Sequence, residues 1–387
     1  MKRIITVTII LLLTIGCIQH ETSEIKNISD TQSSQLPQPM QNITAQNQTQ
    51  PISTQPNLTA SQGNQENATD DQTMVRGIKD PDFEIIVYDK NSSLFGTTIF
   101  ADNHVETRPR VVEVNMLGEI IWEYVLPEDV KMYTNPGFDV EPLSNGNVLI
   151  LLPRKGVFEI NRNKTIVWQY YDSKISHDAD RLPNGNTLIV FGANDKKEDI
   201  QVKEIDISGK IVWSWYAKSA FDKEPYASIS DEGWTHTNAV TRLSNGNTLI
   251  NFRNFNLLAE VNPTGTVVKT IENTRFEKQH DPEVQSNGTI IMANHIQPNE
   301  IIITSSDGKS ILWQFIITNK SAWPLRDANI LSNGNILVTG ADRIFECTYK
   351  KEIVWELRLK NASFDKITAS SRGFYKSERK TSQITNN

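Results

Sequence analysis

The 387-residue chain carries 46 acidic and 39 basic side chains, a formal net charge of −7. That balance argues against a broad basic surface and against nucleic acid as a partner. Its two cysteines, Cys17 and Cys347, leave no disulfide within one mature chain if Cys17 is lipidated, so stability must come from burial. The length remaining after the N-terminal region exceeds one ordinary hydrophobic core unless the fold is a repeat.

The chain opens with Met1-Lys2-Arg3 and an apolar run, Ile4 to Ile15, broken only by Thr6, Thr8 and Thr14, before Gly16-Cys17. A basic flank, a short apolar stretch and a small residue read as a secretory signal over residues 1–17. The run is shorter than the ~20 apolar residues that span a bilayer. Leu13-Thr14-Ile15-Gly16-Cys17 resembles a lipobox, with the leucine one place early. Export is therefore expected, with tethering to a membrane surface through lipidated Cys17 or, on the alternative of an ordinary cleaved signal and an incidental cysteine, secretion. Residues 18–78 are rich in Gln, Asn, Ser, Thr and Pro and lack apolar periodicity, which predicts a disordered linker. Asn27, Asn42, Asn47, Asn57 and Asn67 stand in Asn-x-Ser/Thr sequons within it, and Asn91, Asn163, Asn287, Asn319 and Asn361 in sequons beyond it. The two open readings of the linker are a glycosylated stalk and a bare polar spacer.

From residue 79 to 365 the sequence repeats. Leu143-Ser-Asn-Gly-Asn-Val-Leu-Ile recurs with small changes around Asn184, Asn245, Asn287 and Asn333. Asn-Gly between apolar runs predicts a hairpin with a type I′ turn. Each hairpin is followed by a second, in which a Glu precedes the turn and an apolar strand, often with Trp, follows it: Glu159 with Trp168, Glu204 with Trp213, Glu346 with Trp355. Val112–Trp122 is the same second hairpin without an Asn-Gly before it, and Ile99–Asn103 stands in for the first. The Asn positions are 39, 61, 42 and 46 residues apart. Four strands every 40–50 residues is the signature of propeller blades, and six units predict an all-β, six-bladed propeller. The long interval holds an insertion, Ala217–Gly233, expected as a loop on one face. Asp82–Tyr88 is expected to close the ring against the last blade, and residues 366–387 to form a C-terminal tail.

Seven residues before each turn Asn stand Phe138, His177, Asn238, His280 and Arg326, and one place later Asp139, Asp178, Ala239, Asp281 and Asp327. Eight residues after the turn Asn come Arg253 and His295, which pairing about the turn sets opposite Asn238 and His280. Alternation sets His236 on the face of Asn238. Innermost strands converge on a propeller's axis, so His177, His236, Arg253, His280, His295 and Arg326 are expected to ring one mouth of the channel. Four of the six histidines of the chain fall in that set. Guanidinium and imidazole groups converging in a recess favour an anion such as sulfate, phosphate or carboxylate. No metal and no cofactor is expected.

His177-Asp178, Trp234-Thr-His236-Thr-Asn238, Asn251-Phe-Arg253-Asn254 and Gln279-His280-Asp281, set in the Asn-Gly-Asn repeat, resemble the arylsulfate sulfotransferase family over roughly residues 85–360. The resemblance implies a six-bladed propeller that moves a sulfuryl group from a phenolic sulfate to a phenol without a nucleotide donor. It implies that His280 becomes transiently sulfated, that Arg253 and His236 hold the sulfate oxygens, and that His177 completes the site. His295 and Arg326 enter by register alone, with Asn238 and Trp234 as substrate contacts and Phe252 or Trp323 as further stacking surfaces for the aryl ring. Bacterial members carry a separate N-terminal β-domain and a disulfide, and residues 1–80 have room for neither. Two other readings stay open: a propeller that binds an anion or a partner without turnover, and a quinone-cofactor propeller, whose acidic calcium set and Trp-docking motifs are not found.

Overall fold

A computed structural model describes residues 74–135, 137–295, 298–317, 324–362 and 372–381. The signal stretch, Cys17, the linker to residue 73, Asn319 and Trp323 lie outside the described residues. The rest is an all-β, six-bladed propeller made of six antiparallel sheets. The first strands of successive blades are Asp139–Pro142, Ala179–Arg181, Thr237–Arg242, His280–Val284 and Leu325–Ile330. Each touches the next, so together they line the axis.

The sixth inner strand comes from the end of the chain. Phe374–Lys380 pairs with Thr97–Asp102 as the innermost strand of the first blade, with Phe374 opposite Asp102 and Lys380 opposite Thr97. Part of the expected tail is thus a core strand, and its Phe374 and Tyr375 are buried. At the other end, Phe83–Tyr88 adds a fifth strand to the last blade against Ile353–Leu359, as its sequence predicts. The linker also ends earlier than residue 78. Met74 is buried in the core between the first and last blades, and Ile78–Lys79 pairs with Glu119–Ile120.

The repeat has a physical cause in each of its letters. In the Asn-Gly turns only the glycine is left-handed, with Gly146 at φ +84° and Gly185 at +86°. Gly146 N–H donates to the Leu143 carbonyl, and Leu143 N–H to that of Asn147. The turn is therefore type I followed by a left-handed glycine, not the type I′ expected, because Asn keeps right-handed geometry and spends its side chain elsewhere. Asn145 and Asn147 donate to Glu159 at 3.0 and 2.7 Å, Asn245 and Asn247 to Glu260, and Asn333 and Asn335 to Glu346. In these blades the Glu of the second hairpin thus locks the turn of the first.

The tryptophans seal the blades to one another. The indoles of Trp122, Trp168, Trp213, Trp313 and Trp355 donate to the carbonyls of Arg162, Ile207, Pro263, Tyr349 and Met116, each on the following blade. Arg162, Arg181 and Arg379 lie over Trp122, Trp168 and Trp355 at 4.4 to 4.7 Å. Trp122 and Trp355 are buried and the other three half-buried, and an indole whose one polar atom is satisfied across the seam gives its blade a fixed neighbour.

Candidate active site

One mouth of the channel gathers four imidazoles. His177 and His236 meet Nε2 to Nε2 at 3.2 Å, with ring centroids 4.8 Å apart. His280 and His295 meet edge to face at 5.2 Å. Arg253 Nη1 lies 3.3 Å from His236 Nδ1. Arg253 and Arg326 both depress the basicity of His177 and of His280, so the two histidine pairs share one electrostatic neighbourhood.

The histidines sit where the backbone leaves ordinary strand geometry. His177 has φ +71° and His236 φ +46°, and the flanks of His280 are left-handed at Lys278 and Asp281. Such conformations cost about 1–3 kcal/mol each and persist only when surroundings impose them. At His236 those surroundings are explicit. Buried Asp195 accepts from the backbone N–H of Thr235 and His236 at 3.1 Å, and from the Thr235 hydroxyl at 2.8 Å. A Cβ on Gly192 would come within 2.1 Å of the Thr237 carbonyl oxygen, so only glycine lets the two segments touch.

Strand pairing differs in detail from the sequence reading. His280 pairs with Ala293, not His295, because the turn centres pairing on Asn287, one residue off the expected register, and the bulge at Asp281 and Pro282 adds one more. Proline has no N–H with which to continue the ladder. Asn238 is likewise bulged out between the Thr237–Phe252 and Ala239–Asn251 pairs, and Arg253 stands in the 3-10 turn beyond the strand. Asn238 donates to the Gln279 carbonyl at 3.1 Å, so it steadies the residue before His280. Trp234 and Phe252, expected near the mouth, are core residues only 4 % and 0 % exposed. The insertion folds over them: the Trp234 indole donates to the Tyr226 carbonyl at 2.9 Å, and Phe221 packs on Phe252.

Two residues of the site were missed by the sequence reading, both on the closing strand. Tyr375 is buried with the Arg326 guanidinium 5.1 Å over its ring, and burial pushes its hydroxyl up to about 12. Lys376 is the hub of a second layer one step along the channel. Its ammonium reaches Asp178 at 2.7 Å and Asp139 and Asp281 at 3.2 Å. Second oxygens of these aspartates accept backbone N–H groups of the next blade, Asp139 from Ala179 and Asp178 from Val240. A signal for both residues existed. Tyr375-Lys-Ser-Glu378 matches Phe138-Asp-Val-Glu141, His177-Asp-Ala-Asp180 and His280-Asp-Pro-Glu283 in position and character.

Burial governs the protonation of both layers. It drives His236 down to about 3 and His295 to about 2, the arginines adding to the shift, and His177 and His280 fall well below their ordinary value. All four are neutral near pH 7. The His280 Nδ1 lies 2.8 Å from the Lys278 carbonyl, which only accepts. Nδ1 therefore carries the proton, and Nε2 keeps its lone pair. His236 Nδ1 faces the Glu232 carbonyl at 3.1 Å as well as Arg253. One tautomer donates to the carbonyl and the other accepts from the guanidinium, so a proton has two homes across the His177–His236 contact. Among the described residues no three His, Cys, Asp or Glu side chains are arranged to hold a metal ion.

The carboxyl groups shift the other way. Burial raises Glu141 and Asp178 to about 7 and Glu378 to about 8, and the neighbouring carboxylates add to it. Groups raised on folding stabilise the fold fully below their unfolded values and lose that contribution as pH climbs through the folded ones. Above about pH 7.5 the four channel histidines are neutral folded or unfolded, so the raised carboxyl groups dominate the slope. Stability should fall by on the order of 1 kcal/mol between about pH 7.5 and 9. Urea melts followed by tryptophan fluorescence at a series of pH values would measure it, and a flat profile would mean these groups are already ionised at the start.

The family model described as Arylsulfotransferase (ASST) matches residues 41–278, a span that contains His177, His236 and Arg253 and stops two residues short of His280. No protein of curated function matches the chain. Among solved structures, a Bacteroides caccae protein of unknown function is similar at TM-score 0.50 and 14% identity, over 69% of this chain and 94% of that one. A virginiamycin B lyase from Staphylococcus aureus is similar at TM-score 0.46 and 16% identity, over 73% and 91%. A streptogramin B lyase stands at TM-score 0.48 and 11% identity, over 77% and 98%. At these identities the likeness concerns the fold.

Proposed function

The chain belongs to the arylsulfotransferase family, and from that premise and the channel geometry we propose that it carries a sulfuryl group from an aryl sulfate to a phenol by way of a sulfated His280. The observation that supports this best is a neutral imidazole whose Nδ1–H is pinned to the Lys278 carbonyl and whose Nε2 is free, set under the field of two guanidinium groups.

In the first half, the donor's sulfate oxygens lie against Arg253 and Arg326 and the lone pair of His280 Nε2 attacks sulfur. The S–N bond forms as the S–O bond to the aryl group breaks. The electron pair leaves with the aryl oxygen, which accepts a hydrogen bond from the neutral His177–His236 pair and departs as the aryl oxide. In the second half a phenol oxygen attacks the same sulfur, the S–N bond breaks, and the phenol proton passes to the imidazole pair. The arginines stabilise charge on the sulfuryl oxygens in both steps, a contribution worth about 10²–10³ in rate for one such group. Neutral at rest, the His177–His236 pair carries that proton as a single positive charge and regains neutrality by passing it to the aryl oxide or to water. No nucleotide sulfate donor takes part.

The test is direct. The purified protein is mixed with p-nitrophenyl sulfate, with and without a phenol acceptor, and quenched within the first turnover. The expected result is release of p-nitrophenol, sulfated acceptor, and a mass gain of one SO₃ on the peptide containing His280 when acceptor is withheld. Binding of the aryl sulfate with no release would instead identify a receptor, and release without sulfated acceptor a hydrolase.

A further inference from the structure

The insertion between the third and fourth blades does more than cover Trp234. Its last turn hangs two carboxylates over the anion site. Glu232 lies 3.7 Å from Arg253 Nη2 and Asp231 3.9 Å from Arg253 Nη1, with Asp231 also 2.9 Å from Lys278. The Glu232 carboxylate also acts electrostatically on Arg326. The turn beneath them is fixed. Glu232 has φ +55°, its carbonyl accepts from Asn194 N–H at 2.7 Å, and the Asn254 amide donates to the carbonyls of Asp231 and Gly233 at 2.7 and 3.0 Å. The backbone is anchored while the two side chains remain 54 % and 69 % exposed. Beside them Arg253 forms one wall of a cavity of about 300 Å³, a size that suits a single aromatic ring, with Ile229 and Phe276 as apolar walls and Asp231 and Glu277 on its rim.

Building on the sulfotransfer reading, we propose that Asp231 and Glu232 set substrate charge, holding the guanidinium groups while the site is empty and selecting aryl sulfates with a cationic ring substituent over those with an anionic one. The physical basis is exchange. A bound sulfate takes the guanidinium groups for itself and strips both carboxylates of that partner. An ammonium on the far side of the ring restores the lost pairing. A second anion on the substrate meets two like charges at close range, which is how an interface rejects a wrong partner. A ring bearing no charge falls between the two.

Three aryl sulfates of nearly equal size distinguish these cases: tyramine O-sulfate, 4-ethylphenyl sulfate and 4-(sulfooxy)phenylacetate. Calorimetric titration without acceptor reads binding alone. The wild-type protein should bind them in that order, with a roughly tenfold span in Kd, as expected for charges exposed on one side. In the double variant Asp231→Asn, Glu232→Gln the span should shrink to about threefold or less, while 4-ethylphenyl sulfate binds somewhat tighter because nothing competes for Arg253. That tighter binding also shows that the variant site is intact. Equal affinity for all three ligands in the wild type, or an undiminished span in the variant, overturns the charge selection and leaves sulfotransfer standing. Failure of all three to bind overturns both.

Discussion

His280→Ala should remove sulfuryl transfer almost entirely, lowering turnover by on the order of 10⁴-fold or more, as loss of a covalent nucleophile does elsewhere. The side chain is buried, so the variant also leaves a cavity, and folding must be checked by circular dichroism. The informative companion is added imidazole, which fits the space vacated and replaces the lost lone pair. Partial return of p-nitrophenol release with imidazole, without a sulfated peptide, would separate loss of the nucleophile from loss of the fold. A His280→Ala protein that still turns over within tenfold of wild type would mean that sulfur is attacked by another group. His177→Ala should keep the sulfated His280 peptide and slow its discharge to the acceptor, because its assigned task is proton traffic.

The second large effect concerns stability. Lys376→Met should cost about 3–5 kcal/mol, the range for stripping the partner from a buried charge. The ammonium is shared by Asp139, Asp178 and Asp281, and burial alone would drive it neutral; that attraction instead holds it well above its ordinary value. Without it, several carboxyl groups face one another across the axis. They have one remedy, which is to take up protons, so the loss should be smaller at pH 5 than at pH 8. Urea melts at the two values test this. An equal loss at both would show that Lys376 contributes packing and not charge. Lys376→Arg is a poor substitute, since a flat fork does not match three carboxylates around a point charge.

How far the sequence carried the reading depended on the distance over which each feature is encoded. The Asn-Gly-Asn turns and their glutamates lie within 20 residues of each other, and they announced the hairpins. The turn type was misread because Asn145 and its equivalents are held by Glu side chains, a contact that the letters Asn-Gly do not reveal. The gathering of His177, His236, Arg253 and His280 followed from counting along each hairpin. The facing of His280 and His295 did not, because the turn centres one residue away from the expected point and the bulge at Asp281-Pro282 adds one more, while leaving the imidazoles adjacent. Trp234 shows the limit of local reading: a tryptophan beside a site residue looks like a stacking surface until the insertion is seen to bury it. Tyr375 and Lys376 were hidden for a different reason. Their strand has no hairpin partner nearby in the chain and pairs with Thr97–Asp102, some 270 residues upstream.

That closing strand also fixes when the protein first acquires its chemistry. A nascent chain that has reached residue 362 already contains every histidine and both arginines of the channel, yet it has no Tyr375 beneath Arg326 and no cation among the aspartates. Five inner strands cannot enclose an axis. The ring around the imidazoles is therefore closed only once Phe374–Lys380 is in place, and a chain lacking that strand should leave an open, acid-lined crescent instead of an enclosed channel.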